Sequence, residues 1–307
     1  MKTIVTGGAG FIGSHLVDRL ARDEWGEIII LDNLARGKME NLLQHRGNPN
    51  VQFFPVDIRN YDLLRDHIRG AEVVFHLGAQ SNVMGAVADL DYSFTTNVVG
   101  TYNVLKAAKE CGVRRVVFTS SREAYGEPQY LPVDENHPIG SKNTYGASKV
   151  AGEMYARVFY NNFGLETAVL RLANAYGPRD FDRVIPIWLG RTRQGLDLVV
   201  YGGKQIIDFV WIDQIVEALV RASKANIIGQ PINVGSGQGT PLLNLARRIL
   251  SLVDSPSQLD IQPARSVEVV RFTAKIDLMR EKLGLEPPDD PLFGLPTLVE
   301  AYKNAKS

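Results

Sequence analysis

Short β-branched runs alternate with longer amphipathic stretches along the first half of the chain. The apolar runs predict strands at residues 3–6, 27–31, 52–56, 72–77, 115–119 and 166–170. Apolar positions at helical spacing predict helices over 11–22, 61–68, 94–110 and 145–162. Strands that are apolar on nearly every residue belong to a sheet covered on both faces, and strand–helix alternation makes that sheet parallel. The expected fold is therefore α/β, a Rossmann-like doubly wound parallel sheet with ligands at the carboxyl ends of its strands.

After Leu172 the rhythm changes. Residues 174–182 are rich in turn formers, and Gly202-Gly203, residues 235–239 and Pro287-Pro288 punctuate a looser region. This predicts a cofactor-binding domain over 1–172 and a smaller α/β substrate lobe over 173–307, with elements near 209–235 returning to the first domain. The length of 307 residues suits two lobes sharing one site.

Composition narrows the function classes. Lysine plus arginine equals aspartate plus glutamate at 34 each, so no electrostatic footprint for nucleic acid is expected. The apolar runs have strand length, and the start Ile4-Val5 runs directly into Thr6-Gly7-Gly8. Neither a membrane span nor a secretory leader is expected, and the predicted location is the cytoplasm. A single cysteine, Cys111, suits a reducing compartment and reads as a small core residue. No metal site is expected.

The first candidate chemistry is Thr6-Gly7-Gly8-Ala9-Gly10-Phe11-Ile12-Gly13, between the first strand and the first helix. Gly7, Gly10 and Gly13 permit a tight turn, close approach of a pyrophosphate and close helix–strand packing. The helix N-terminus offers that pyrophosphate its unpaired amides. Asp32 ends the second strand, where a carboxylate accepts from both ribose hydroxyls and repels a 2′-phosphate, so NAD is expected over NADP. Arg36 is either an NADP-type cation or a solvated loop residue. Asp57 and Ile58 follow the third strand, facing an adenine or, for Asp57, capping the next helix.

Tyr145-Gly146-Ala147-Ser148-Lys149 puts a phenol and an ammonium one turn apart on one helix face. A nearby cation, joined by the positive nicotinamide, is expected to lower the phenol below its usual pKa near 10.

With these residues in order, the chain resembles the extended short-chain dehydrogenases/reductases, in particular the nucleotide-sugar epimerases, dehydratases and decarboxylases. The resemblance covers nearly the whole chain. It rests on the glycine turn, Asp32-Asn33-Leu34, His76-Leu77-Gly78-Ala79-Gln80, Asn97-Val98-Val99-Gly100-Thr101, residues 120–126 and 145–149. It continues through 171–179, Asp208-Phe209-Val210 and 265–269.

The resemblance implies that Tyr145 is the base, that Lys149 binds the nicotinamide ribose, and that Ser121 bonds the reacting hydroxyl. It implies cofactor contacts from Phe11, Ile12, Asn33, Leu77, Gly78, Ala79, Gln80 and Asn97. Asn174 and Arg265 fall where the family holds a nucleotide diphosphate. The implied reaction is redox-neutral epimerisation of a UDP-hexose at C4 (UDP-glucose/UDP-galactose), through a 4-keto sugar, with NAD retained. A homodimer through helices 94–110 and 145–162 is likewise implied.

Residues 120–126 separate the alternatives. Arg122 stands where 4,6-dehydratases carry an aspartate, which argues against dehydration. Glu123 is shared with decarboxylases, so UDP-glucuronate decarboxylation is the alternative, and a non-catalytic NAD-binding protein is a distant one. Ile207 stands where the family has an arginine, leaving Lys204, Arg191 or Arg193 to replace it. Phe272 falls at a position that gates N-acetylated sugars, so a bulky ring there is expected to favour glucose and galactose.

Overall fold

The computed structural model describes residues 1–264 and 269–304. Its strands are β1 (Lys2–Thr6), β2 (Glu27–Leu31), β3 (Val51–Phe54), β4 (Val73–His76), β5 (Arg115–Ser121) and β6 (Glu166–Leu172). They are followed by β7 (Asn174–Tyr176), β8 (Leu198–Tyr201), β9 (Ile206–Trp211), β10 (Pro231–Val234), β11 (Gly239–Pro241) and β12 (Leu259–Gln262). The helices begin with α1 (Phe11–Arg22), α2 (Tyr61–Ile68), α3 (Val83–Ala88), α4 (Leu90–Phe94), α5 (Gly100–Glu110) and α6 (Thr144–Phe163). Later come α7 (Val184–Arg193), α8 (Ile212–Ala222), α9 (Leu242–Leu252), α10 (Asp277–Leu283) and α11 (Leu295–Asn304).

Seven strands form one parallel sheet in the order β10-β6-β5-β4-β1-β2-β3. Side chains alternate across it, as strand geometry requires. Val5, Ile28, Ile30, Val73, Phe75 and Val117 enter one core, while Ile4, Ile29, Leu31, Val74, Val116 and Phe118 enter the other. Helices α2, α5 and α6 pack on one another on one side, and α1 packs on α8. Two buried faces explain why the strands read as continuous apolar runs. The predicted α/β fold is the fold observed, and the order reverses between β1 and β4, which opens a crevice at their carboxyl ends.

Four elements differ from the sequence reading. β3 stops at Phe54, and β5 and β6 each run two residues further than the pattern indicated, to Ser121 and Leu172. The stretch 94–110 is interrupted: α4 ends at Phe94, a π-helical turn spans Thr95–Val99, and α5 starts at Gly100. That wider turn carries Asn97 inward, where it is 2 % exposed.

Residues beyond Leu172 build the cover over the carboxyl edge. β11, β9 and β7 make a three-stranded sheet, β12 and β8 a parallel pair, and α7, α9 and α11 pack against one another. β10 joins the main sheet beside β6. Among the described residues no helix is long and apolar enough to cross a membrane.

Behind the crevice lies a buried ionic cluster. Arg171 on β6 meets Glu153 on α6 at 2.6 Å, each side chain 4 % exposed, and the Ser120 hydroxyl donates to the same carboxylate. The guanidinium also lies 4.7 Å over the Tyr125 ring, whose hydroxyl donates to Asn233 at 2.7 Å. Removing one member strands a desolvated charge. Arg171→Ala is expected to lower the unfolding free energy by about 3–5 kcal/mol, read from urea transitions. A loss below about 1 kcal/mol would show that the pair does not hold β6 to α6.

Candidate active site

The carboxyl edge of the sheet and its cover enclose a cavity of about 690 Å³. One end is built by the turn after β1. Gly7 has φ +71°, and a Cβ there would stand 2.8 Å from the Gly78 amide; a Cβ on Gly13 would stand 2.1 Å from the Gly7 carbonyl. Only glycine lets the two loops and the helix close up this far. α1 begins at Gly10 without a side-chain cap and without an acid in its first turn. Gly7, Gly10, Phe11, Ile12 and Gly13 all line the cavity. Uncapped amides at the positive end of a twelve-residue helix fit the pyrophosphate of a dinucleotide.

Asp32 lies on the same wall, 8 % exposed. Its oxygens accept from the Ala9 amide at 3.0 Å and the Leu34 amide at 2.8 Å, which counter the upward push of burial on its pKa. Each oxygen keeps a second lone-pair direction for a ribose hydroxyl. Asn33, Ile58, Leu77, Gly78, Ala79 and Gln80 complete this part of the wall. His76, beneath it, is bonded to the hydroxyls of Thr6 and Thr101, and burial draws it down to about 3, so it stays neutral.

Two expected cofactor contacts lie off the wall. Asn97 spends its amide on protein: its oxygen accepts from the Gln80 amide at 2.7 Å, and its nitrogen donates to the Gln80 carbonyl and the Ser148 hydroxyl, both at 3.0 Å. It fixes the Gln80 loop against α6. Asp57 is held by both the Arg59 guanidinium and the Asn33 amide, which bring its carboxyl down to about 2. Arg36 pairs with Asp182, and its guanidinium lies 5.6 Å over the Phe181 ring. Neither the solvated reading nor the NADP reading describes it, because it ties the loop after β2 to the segment 180–183.

At the centre stand Ser121, Tyr145 and Lys149, from the end of β5 and the first turns of α6. Asn143 caps α6 by accepting from the Gly146 amide at 2.8 Å, and a Cβ on Gly146 would stand 2.3 Å from the Glu123 carbonyl. These contacts press the start of α6 against the turn after β5. The Ser121 hydroxyl lies close enough to Tyr145 to favour its ionised form, and it accepts from the Glu123 amide at 3.1 Å. Lys149 donates to the Thr119 carbonyl at 2.9 Å and lies 5.7 Å from the Tyr145 ring centre.

Without a nicotinamide beside it, Tyr145 is held toward its neutral form. Burial pushes the Tyr145 phenol up to about 12; the opposing influences are Arg183, first, then the Ser121 hydroxyl and Arg36, while Glu123 raises it further. Lys149 is itself drawn down to about 8 by burial against the pull of Glu153. Spacing placed the two groups on one helix face, but the protein alone does not ionise Tyr145.

Glu123 lines the cavity with both oxygens engaged, one by Arg122 at 2.9 Å and the other by the Asn143 amide at 2.7 Å. Asn174 opens β7 on the wall, its carboxamide oxygen without a partner among the described residues. Phe272 is not on the wall. It is 1 % exposed, stacked 6.0 Å from the Tyr125 ring with the Arg122 guanidinium 5.8 Å above it, so Arg122 stands where the gating ring was expected. Arg265 lies outside the described residues.

The sequence reading missed segment 180–183, which closes over the cavity. Asp182 takes Arg36 and the Asn82 amide, and Arg183 pairs with Asp180 and lies 5.3 Å over Phe11. No local signal marks these residues, since their partners lie 100 or more positions away for Asp182.

A model of the NAD dependent epimerase/dehydratase family matches residues 3–235. UDP-glucose 4-epimerase of Mycolicibacterium smegmatis is 37% identical over 312 residues, 99% of each chain. UDP-glucuronic acid decarboxylase 4 of Arabidopsis thaliana is 31% identical over 313 residues, covering 99% of this chain and 69% of the relative. The structure of UDP-glucose 4-epimerase from Thermotoga maritima with UDP-glucose superimposes with a TM-score of 0.90 at 33% identity, covering 99% of both chains.

Proposed function

The chain belongs to the NAD dependent epimerase/dehydratase family, and within it we propose that the protein interconverts UDP-glucose and UDP-galactose by inverting the sugar at C4. The observation that carries this reading is the turn after β5. Ser121 and Tyr145 present hydroxyls to the cavity, while the next two residues form an ion pair that leaves no free acid beside them. Loss of water from C6 needs such an acid, and proton removal at C5 needs a carboxylate free to act as base. Likeness to the mycobacterial epimerase over 99% of both chains supports the same reading.

Tyr145 holds the proton of the C4 hydroxyl and returns it, and Ser121 orients that hydroxyl. Lys149, anchored on the Thr119 carbonyl, offers its remaining protons to the nicotinamide ribose. Bound NAD supplies the hydride acceptor for C4, a positive charge beside the phenol, and afterwards the hydride that restores the alcohol. The wall from Gly7 to Gly13, with Asp32, holds the cofactor. Segment 180–183 excludes water from the oxidised sugar. Asn174, its oxygen without a partner among the described residues, faces the nucleotide half of the substrate.

Decarboxylation of UDP-glucuronate is the second reading, favoured by Glu123 on the wall and by the plant relative. Incubation with UDP-galactose and, separately, UDP-glucuronate, followed by NMR, separates the two. Equilibration of UDP-galactose with UDP-glucose is expected, and Tyr145→Phe should slow it about 10²–10⁴-fold with NAD still bound. Release of carbon dioxide from UDP-glucuronate with UDP-galactose left unchanged overturns the proposal.

The active unit is a two-fold dimer. Leu90, Phe94, Tyr102, Met154, Tyr155 and Val158 are exposed on the outer faces of α4, α5 and α6, at 39–57% of their full area. A contiguous apolar face of this kind suits a second copy of the same face. Sedimentation should give a dimer at micromolar concentration, converted to monomer by Phe94→Asp with Val158→Asp. A monomeric unaltered chain would contradict it.

A further inference from the structure

A cavity that holds a dinucleotide and a nucleotide sugar together must neutralise two diphosphates, each in a setting poor in water. The glycine turn and the N-terminus of α1 answer for one. Five cationic side chains line the cavity among the described residues: Arg36, Arg122, Lys149, Arg183 and Arg191. Three are already neutralised, Arg36 by Asp182, Arg122 by Glu123 and Arg183 by Asp180. Lys149 is buried beneath Tyr145 and bonded to a carbonyl.

Arg191 differs from all of these. It has no carboxylate partner among the described residues and is half-buried. Ile187, Trp188 and Arg191 fall on one face of α7, four and three residues apart, and all three reach the cavity. The guanidinium is aimed by its Nε, which donates to the Asp197 carbonyl just before β8, and its two terminal nitrogens have no partner among the described residues. Trp188 braces the same corner by donating to the Val199 carbonyl at 3.0 Å.

The neighbouring wall needs such a cation. Ile207 on β9 contributes only hydrocarbon there, and Lys204 and Arg193 are exposed and stand off the wall. The last turn of α7 presents carbonyls, whose dipole alone repels an anion. From this geometry we infer that Arg191 binds the diphosphate of the nucleoside-diphosphate substrate, as a site separate from the pyrophosphate cradle at α1. The inference rests on the nucleotide-sugar reading above. A fork of two terminal nitrogens suits paired phosphate oxygens, whereas an ammonium makes only a point contact.

Titration calorimetry of the NAD-loaded protein with UDP and with uridine tests the assignment. Arg191→Ala should weaken UDP about tenfold or more, leave uridine and NAD affinities unchanged, and raise KM for the sugar nucleotide more than it lowers kcat. Arg191→Lys should restore part of the UDP affinity and controls for folding. Equal weakening of UDP and uridine, or UDP binding that Arg191→Ala leaves intact, overturns this assignment alone. Failure of the unaltered protein to bind UDP overturns the nucleotide-sugar reading as well.

Discussion

Tyr145 and Lys149 bring a phenol and an ammonium into the same water-poor cleft, and desolvation moves them in opposite senses. The phenol rises to about 12 and the ammonium falls to about 8. Both shifts favour neutral forms, because burial penalises whichever form carries charge. A positive charge beside the phenol, such as that of an oxidised nicotinamide, would favour its ionised form.

The surrounding structure keeps that cleft dry and its parts in register. β5 and β6 carry Ser120, Ser121 and Arg171 to the sheet edge, and α6 carries Tyr145, Lys149 and Glu153 against them. The buried Arg171–Glu153 pair joins the two layers behind Ser121 and Tyr145. Asn97, in its π-helical turn, joins the Gln80 loop to Ser148 on the same helix. Above, Asp182 and Arg183 bind the cover to both β-edge loops and to Phe11.

What the chain reveals before folding follows the range of each interaction. The glycine turn, the strand periods and the Tyr145–Lys149 spacing are local, so Gly7 to Gly13, six strands and helix α6 are legible directly. The fates of Asp57 and Asn97 are decided by Arg59, Asn33, Gln80 and Ser148, and spacing does not show which polar group a side chain will choose. Phe272 lies buried beneath the guanidinium of Arg122, a neighbour 150 residues earlier in the chain. That Arg191 has no carboxylate partner among the described residues was invisible for the converse reason: it depends on carboxylates pairing with other arginines.

The account stands on the protonation of Tyr145 in the absence of cofactor. Phenolate absorbance of the NAD-free protein, with Tyr145→Phe subtracted, measures it directly. The account predicts no Tyr145 ionisation through about pH 10, the range where an ordinary tyrosine is half-ionised, and a lower midpoint once NAD is bound. A cofactor-free midpoint below about 9, a unit under the ordinary value, would contradict it.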